Sequence, residues 1–461
     1  MGPFSTMSGK HFYVTTPIYY ANDRPHIGHA YTTLLADVLA RYHRLLGYDV
    51  FFLTGTDEHG QKVEQAARKR GVSPEEHVKE YHRRFKDLWQ RLGIEYDYFI
   101  RTTDKDHKEF VQKCLQQLYD RGEIVLREYE GWYSVSEERF FQEDELVDGK
   151  DPVGHKAVEW ISEKNYFFLM SKYQKRLLAH IEGNADFIQP ESRRNEVLGF
   201  LRQPLGDLCI SRPRTRLAWG ISLPFDPDFV TYVWFDALLN YESAVAARCY
   251  PDGSPLWPAT YHLLGKDILT THSVYWPTIL MALGHPLPQH IFAHGWWLSK
   301  GAKQSKSSGN AVDPLGYVDE YGVDAVRYFL LRDMVLGQDA SFSEEQFKER
   351  INSDLANDLG NALQRVHVFL IRSLGGKVPL PPAQSGADES DLKAFTEESI
   401  SRVKELILNL RLSPALEAVT EMVRRVNRYL EKRAPWQVAK DRDLQEELNT
   451  ILFTAAEALR C

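Results

Sequence analysis

Cysteine is scarce: Cys114, Cys209, Cys249 and Cys461 are the only four in 461 residues, and no two form a Cys-x-x-Cys pair. That argues against a disulfide framework and against a clustered zinc site, and it suits a reducing compartment. Long apolar runs are missing as well. Nothing approaches the roughly 20 consecutive apolar residues that span a bilayer, so no membrane partner is expected. No basic-then-apolar leader opens the chain, and residues 1–6, ahead of a second methionine at Met7, are left outside the predicted fold. The expected location is the cytoplasm, with an organelle as the alternative. No appended dimerisation module is visible, which makes a monomer the default. Positive charge is also in short supply. With a formal net charge of -8, bulk electrostatics does not favour nucleic acid, so any RNA contact has to come from a local basic patch.

What is present reads as an α/β chain with a helical tail. A hydrophobic fraction of 43% over this length supports a large core and two or three domains. Residues 10–16, KHFYVTT, predict a buried strand ending at Pro17. Ala30 to Leu46 has helical spacing, with Leu34, Leu35, Val38, Leu39, Tyr42 and Leu45 on one broad face and Gly47 as the stop. Asp49 to Thr54 predicts a second buried strand stopping at Gly55. Strand, helix and strand make one βαβ unit with a right-handed crossover. Charged helices follow at about 61–70 and 74–92. Residues 111–212 are aromatic-rich and strand-like, and look inserted. The α/β pattern resumes within 213–299, 300–345 forms a linking region, and 346–461 is helical apart from the Gly375–Gly386 stretch.

Two motifs carry chemistry. His26-Ile27-Gly28-His29 lies between the first strand and its helix. Histidines three apart at a helix start face one side, where free N–H groups and the helix dipole favour phosphate. Gly28, lacking a side chain, lets a purine approach the backbone. The bland alternative is two loop histidines that meet water or backbone. Lys303-Gln304-Ser305-Lys306-Ser307, held between Gly301 and Gly309, is a mobile cation pair able to close over a triphosphate. Its alternative is a solvated basic loop.

Together the two motifs resemble the paired signatures of the class I aminoacyl-tRNA synthetases. The blocks TPIYYAN (16–22), TGTDEHG (54–60), YVWFDAL (232–238) and GKDI (265–268), with His272, resemble the methionine branch of that family, and the likeness runs from about residue 11 to 460. It implies a Rossmann-like parallel-sheet catalytic domain (8–110 and 213–299), an inserted connective domain (111–212), a linking region carrying the second signature (300–345), and an all-α helical-bundle anticodon-binding domain (346–461). It also implies a reaction. The carboxylate of L-methionine attacks the α-phosphate of ATP, used with Mg2+, and the aminoacyl group then moves to the terminal ribose of tRNA(Met). By this resemblance His26, His29, Lys303 and Lys306 are catalytic, and Gly28, Gly265, Asp267 and the backbone around Trp296 and Trp297 meet ATP. Asp57 receives the substrate ammonium. Ile18, Tyr20, Trp234, Ala237, Leu238, Tyr241, Ile268 and His272 form the thioether pocket, where one hydroxyl or imidazole N–H can touch the sulfur. Asn357, Asn361 and Arg365, at i, i+4 and i+8 on one helix face, read the anticodon together with Trp436. Arg424, Arg425, Arg428, Lys432 and Arg433 supply the local basic patch.

The chain departs from that family in three places. Where relatives carry CxxC zinc knuckles it has Tyr133-Ser134-Val135-Ser136-Glu137-Glu138, poor ligands beside thiolates, so no structural zinc is expected. Gln304 stands where methionine is usual in the second signature. Relatives are expected to continue past Cys461 with at least one more helix, and Leu444, Leu448, Ile451, Leu452, Ala455 and Leu459 make an apolar face that calls for cover. Two other readings are a different nucleotidyltransferase on the same α/β domain, which has no use for Asn361, Arg365 and Trp436, and a non-catalytic RNA-binding homologue, which has no use for His26, His29 and Lys306.

Overall fold

The structure, a computed structural model, describes residues 10–134, 139–141, 143–152, 156–299, 302–303, 312–335 and 337–461. The chain divides into two compact units, Met1–Gly295 and Trp296–Cys461.

The first unit is built on a six-stranded parallel sheet of β1 (His11–Tyr20), β2 (Asp49–Asp57), β3 (Tyr98–Arg101), β4 (Ile188–Gln189), β5 (Tyr261–Gly265) and β6 (His290–His294), in the order β3-β2-β1-β5-β6-β4. Both faces of β1 are buried, which is why its sequence runs apolar instead of alternating. Helix α1 (Ile27–Leu45) crosses from β1 to β2, as the βαβ pattern predicts. The chain runs outward from β1 to β3 and later returns to the other side of β1 at β5. This reversal is a topological switch point, and the crevice beyond the carboxyl ends of β1 and β5 is where such sheets bind ligands.

Both predicted strand ends fall short. β1 runs through Pro17 to Tyr20, because the pairing with β2 shifts register between Thr15 and Ile18, and a proline needs no ladder N–H at such an irregularity. β2 runs through Gly55 to Asp57. Gly55 is there for closeness: a Cβ on it would lie 2.2 Å from the Ile100 carbonyl oxygen on β3. These two extensions carry the chain to Tyr20 and Asp57, so they decide where the crevice residues stand.

Within the segment read as inserted, Arg139–Phe141, Ile124–Ser134, Glu159–Phe168 and Leu208–Cys209 form a four-stranded sheet in that order. β4 belongs to the same segment by sequence, yet it pairs with β6 at the edge of the parallel sheet.

The second unit opens with a small sheet in which Trp297–Ser299 pairs with Ala302–Lys303 and Ala340–Phe342. Helices follow: α2 (Asn361–Leu374), α3 (Ala387–Leu408), α4 (Leu412–Arg433) and α5 (Gln445–Arg460). Val366, Leu370, Leu392, Val426 and Leu430 form a core with Leu448, Ile451, Leu452 and Ala455. The apolar face of α5 thus finds its cover in α2, α3 and α4. Ahead of α2, residues Ile351–Gly360 form a wide π-type helix. Among the described residues no helix is long and apolar enough to cross a membrane.

Candidate active site at the sheet switch point

The two signature histidines cap α1. Gly28 N–H donates to His26 Nδ1 (3.0 Å), and His26 N–H donates to His29 Nδ1 (3.1 Å), a capping box built from imidazoles instead of a hydroxyl and a carboxylate. Their rings stack at 3.8 Å. A neutral ring whose Nδ1 accepts carries its proton on Nε2, so both rings are N–H donors through Nε2. The sequence reading set backbone-bonded histidines against phosphate-binding ones. The structure shows the backbone bonds, and those bonds fix tautomer and orientation. Gly28 has a local reason as well: a Cβ there would lie 2.9 Å from His26 Cε1. The His26 ring thus lies close against Gly28.

At the end of β5 the Asp267 carboxylate folds over Gly265, where a Cβ would meet its Oδ1 at 2.6 Å. His294, at the end of β6, was not anticipated. Its Nε2 lies 2.7 Å from Thr32 Oγ1 on α1 and its Nδ1 2.7 Å from the Gly295 carbonyl. Burial holds its pKa down. A histidine closing a parallel strand beside the switch point was the available signal.

The end of β2 and the loop after it are buried or held. Asp57 is only 5% exposed. The Glu58 carboxylate takes both arms of Arg101 (2.8 and 2.9 Å) and the hydroxyls of Thr56 and Thr103. His59 Nδ1 lies 2.6 Å from Asp236 Oδ2, and Gly60 N–H donates to the Trp219 carbonyl. Asp236, the partner of both His59 and His107, was also missed as a site residue. Pairing across 177 residues leaves no local pattern.

Ile18, Tyr20, Trp234 and Ile268 pack, partly exposed, on the core that holds Leu238 and Tyr241, and Ala237 is buried. The ring of Trp234 stands edge-on to His272 at 6.5 Å. The proton inventory differs from the expectation. His272 Nδ1–H donates to the Ile268 carbonyl (2.9 Å), so its Nε2 accepts from the Tyr241 hydroxyl (2.7 Å). Neither the hydroxyl proton nor the imidazole N–H is left for a sulfur atom.

Burial holds His272 neutral, its pKa down to about 4, and pushes neighbouring His262 well below its usual value. An unfolded imidazole titrates near 6.5. Between pH 6.5 and about 4 the unfolded chain takes up protons that the native chain refuses, so this contribution is complete above pH 6.5 and falls as pH drops, by up to about 3 kcal/mol for His272. Unfolding midpoints measured from pH 7 to 4.5 are expected to fall less steeply in His272→Gln than in the native sequence. Equal slopes would refute the assignment.

In the second unit Asn357 and Asn361 are exposed, Trp436 is 37% exposed, and Arg365 pairs with Glu431 at 3.3 Å. Asn357 lies in the π-type stretch Ile351–Gly360, and Asn361 and Arg365 follow on α2. The basic patch is laced with carboxylates: Arg424 with Asp358, Arg425 with Asp391, Lys432 with Asp388, and Arg433 with Glu389 and Glu447. Its net field is therefore weaker than five cations suggest. The backbone of Trp296 is engaged at both ends, its N–H with Asp339 (2.9 Å) and its carbonyl with Ala340 N–H (2.9 Å), while Trp297 is buried against Phe329. Lys303 pairs in strand opposite Leu298. Gln304, Lys306 and residues 135–138 lie outside the described residues. Among the described residues no group of three or more His, Cys, Asp or Glu could hold a metal ion.

A family model described as "tRNA synthetases class I (M)" matches residues 12–159 and 144–367. The methionine–tRNA ligase of Caldanaerobacter subterraneus subsp. tengcongensis is 49% identical over 453 residues, 98% of this chain and 70% of that protein. The methionine–tRNA ligase of Thermotoga maritima is 47% identical over 453 residues, 97% and 71% of the two chains. Among solved structures, Mycobacterium tuberculosis methionyl-tRNA synthetase in complex with methionyl-adenylate superposes with a TM-score of 0.93 at 44% identity, covering 98% of this chain and 90% of the other. The chain belongs to the class I tRNA synthetases, in their methionine branch.

Proposed function

We infer that this chain is a methionine–tRNA ligase, which joins L-methionine to ATP as methionyl-adenylate and passes the aminoacyl group to the 3′ end of tRNA(Met). The observation that carries the inference is likeness along 98% of the chain to ligases of that activity, with the histidine signature standing at the switch point of a parallel sheet.

In this reading the Nε2–H groups of His26 and His29 donate to phosphate oxygens as charge grows at the α-phosphate, and Lys306, with Lys303 beside it, brings cationic charge to the leaving pyrophosphate. Gly265 and Asp267 face the ribose, with the Trp296 and Trp297 region toward adenine. Asp57 takes the ammonium, and Ile18, Tyr20, Trp234, Ala237, Leu238, Tyr241, Ile268 and His272 surround the thioether. Because the carboxylate and the α-phosphate are held side by side, proximity supplies much of the rate. Magnesium enters as the partner of the ATP phosphates, which is how it usually binds, and no step here runs through a protein-held metal. Asn357, Asn361, Arg365 and Trp436 meet the anticodon. The proposed working state is a monomer in the cytoplasm.

Exchange of label between pyrophosphate and ATP tests the function. Methionine should drive it and no other amino acid comparably. Lys306→Ala should lower kcat far more than it changes the methionine KM, because the lysine acts on the transition state. Exchange driven equally by another amino acid would overturn the assignment.

A further inference from the structure

Asp236 has no assigned part in methionine activation, yet its carboxylate is fully buried and ties together the walls of the proposed amino-acid site. It stands on the helix Val233–Leu238, two residues after Trp234 and one before Ala237. One oxygen lies 2.6 Å from His59 Nδ1 and the other 2.7 Å from His107 Nε2. His59 follows Asp57 by two residues. His107, in the first turn of the helix Lys105–Asp120, turns its Nδ1 to Ser243 Oγ at 2.7 Å, on the short helix Asn240–Ser243 that carries Tyr241. One carboxylate therefore links the strand end bearing Asp57 to the helix bearing Trp234 and, through His107, to the helix bearing Tyr241. Burial alone would push its pKa up, but His59 and His107 outweigh burial and hold it below the usual carboxylate range. An ionised carboxylate only accepts, so each facing imidazole nitrogen is a donor.

We propose that Asp236 is a positioning residue for amino-acid recognition, which sets the span between the carboxylate that receives the ammonium and the rings that receive the side chain. This rests on the function proposed above. An amino acid is gauged by its two ends at once, so a looser tie between Asp57 and the Trp234 wall costs binding of the correct substrate first. Asparagine keeps the volume of Asp236 but turns an N–H2 toward one of the two imidazole donors, which breaks one tie.

The test is pyrophosphate exchange per titrated active site, with methionine and with ethionine, whose side chain is one methylene longer. Asp236→Asn should raise the methionine KM about tenfold or more, with the ATP KM and kcat within about threefold, and should narrow the preference for methionine over ethionine. His107→Asn should shift the same quantities in the same direction, and it decides the matter if Asp236→Asn fails to fold. An unchanged methionine KM in the folded variants, or a loss confined to the fraction of active sites, would overturn the inference while leaving the function intact. Native enzyme without methionine-dependent exchange would instead overturn the function itself.

Discussion

Replacing His29 with alanine should lower kcat of methionine activation by about 10²–10³, the usual cost of removing one transition-state donor, and should leave both substrate KM values nearly unchanged. The same change removes the acceptor for His26 N–H, and a lost cap costs about 1 kcal/mol of stability. A second variant separates the two roles. Glutamate at the third helical position is the customary partner in a capping box, so His29→Glu should regain most of the lost unfolding temperature. It also sets a negative charge against the triphosphate, so kcat should fall below that of the alanine variant. If activity returned together with stability, His29 would be a helix cap and nothing more.

The second large effect concerns Asp57. Asp57→Asn should lower kcat/KM for methionine by about 2–4 kcal/mol, or about 30- to 1000-fold, through KM, because a buried charge-assisted contact to the ammonium is lost. The ATP KM should stay within about threefold. Exchange kinetics at varied methionine, with active sites titrated, measure this. A change seen in the ATP KM alone would move Asp57 to the nucleotide side of the site.

Much of this site can be read along the chain because it is built from contiguous motifs. His26 to His29 sits where β1 hands over to α1, and strand and helix periodicity are both local. The errors arise where a distant neighbour decides. Pro17 reads as a strand end, but a register shift against β2 accommodates it. Gly55 reads as a stop, but β3 presses so close that only a glycine fits. His59, His107 and Asp236 come from three segments that converge only after folding, so no spacing announces them. The thioether pocket was placed by likeness, and its proton inventory could come only from the hydrogen bonds themselves.

That inventory bears on damaged substrate. With the Tyr241 hydroxyl proton given to His272 and the His272 N–H given to Ile268, neither group has a proton to offer on this side of the proposed pocket. Native thioether sulfur, a weak acceptor, tolerates such company. Methionine sulfoxide would bring a strongly accepting oxygen that neither Tyr241 nor His272 could answer, and a dipole left unanswered on that side would weigh against it. Under the proposed function, oxidised methionine would thus be disfavoured already at binding, before any ATP is spent on it.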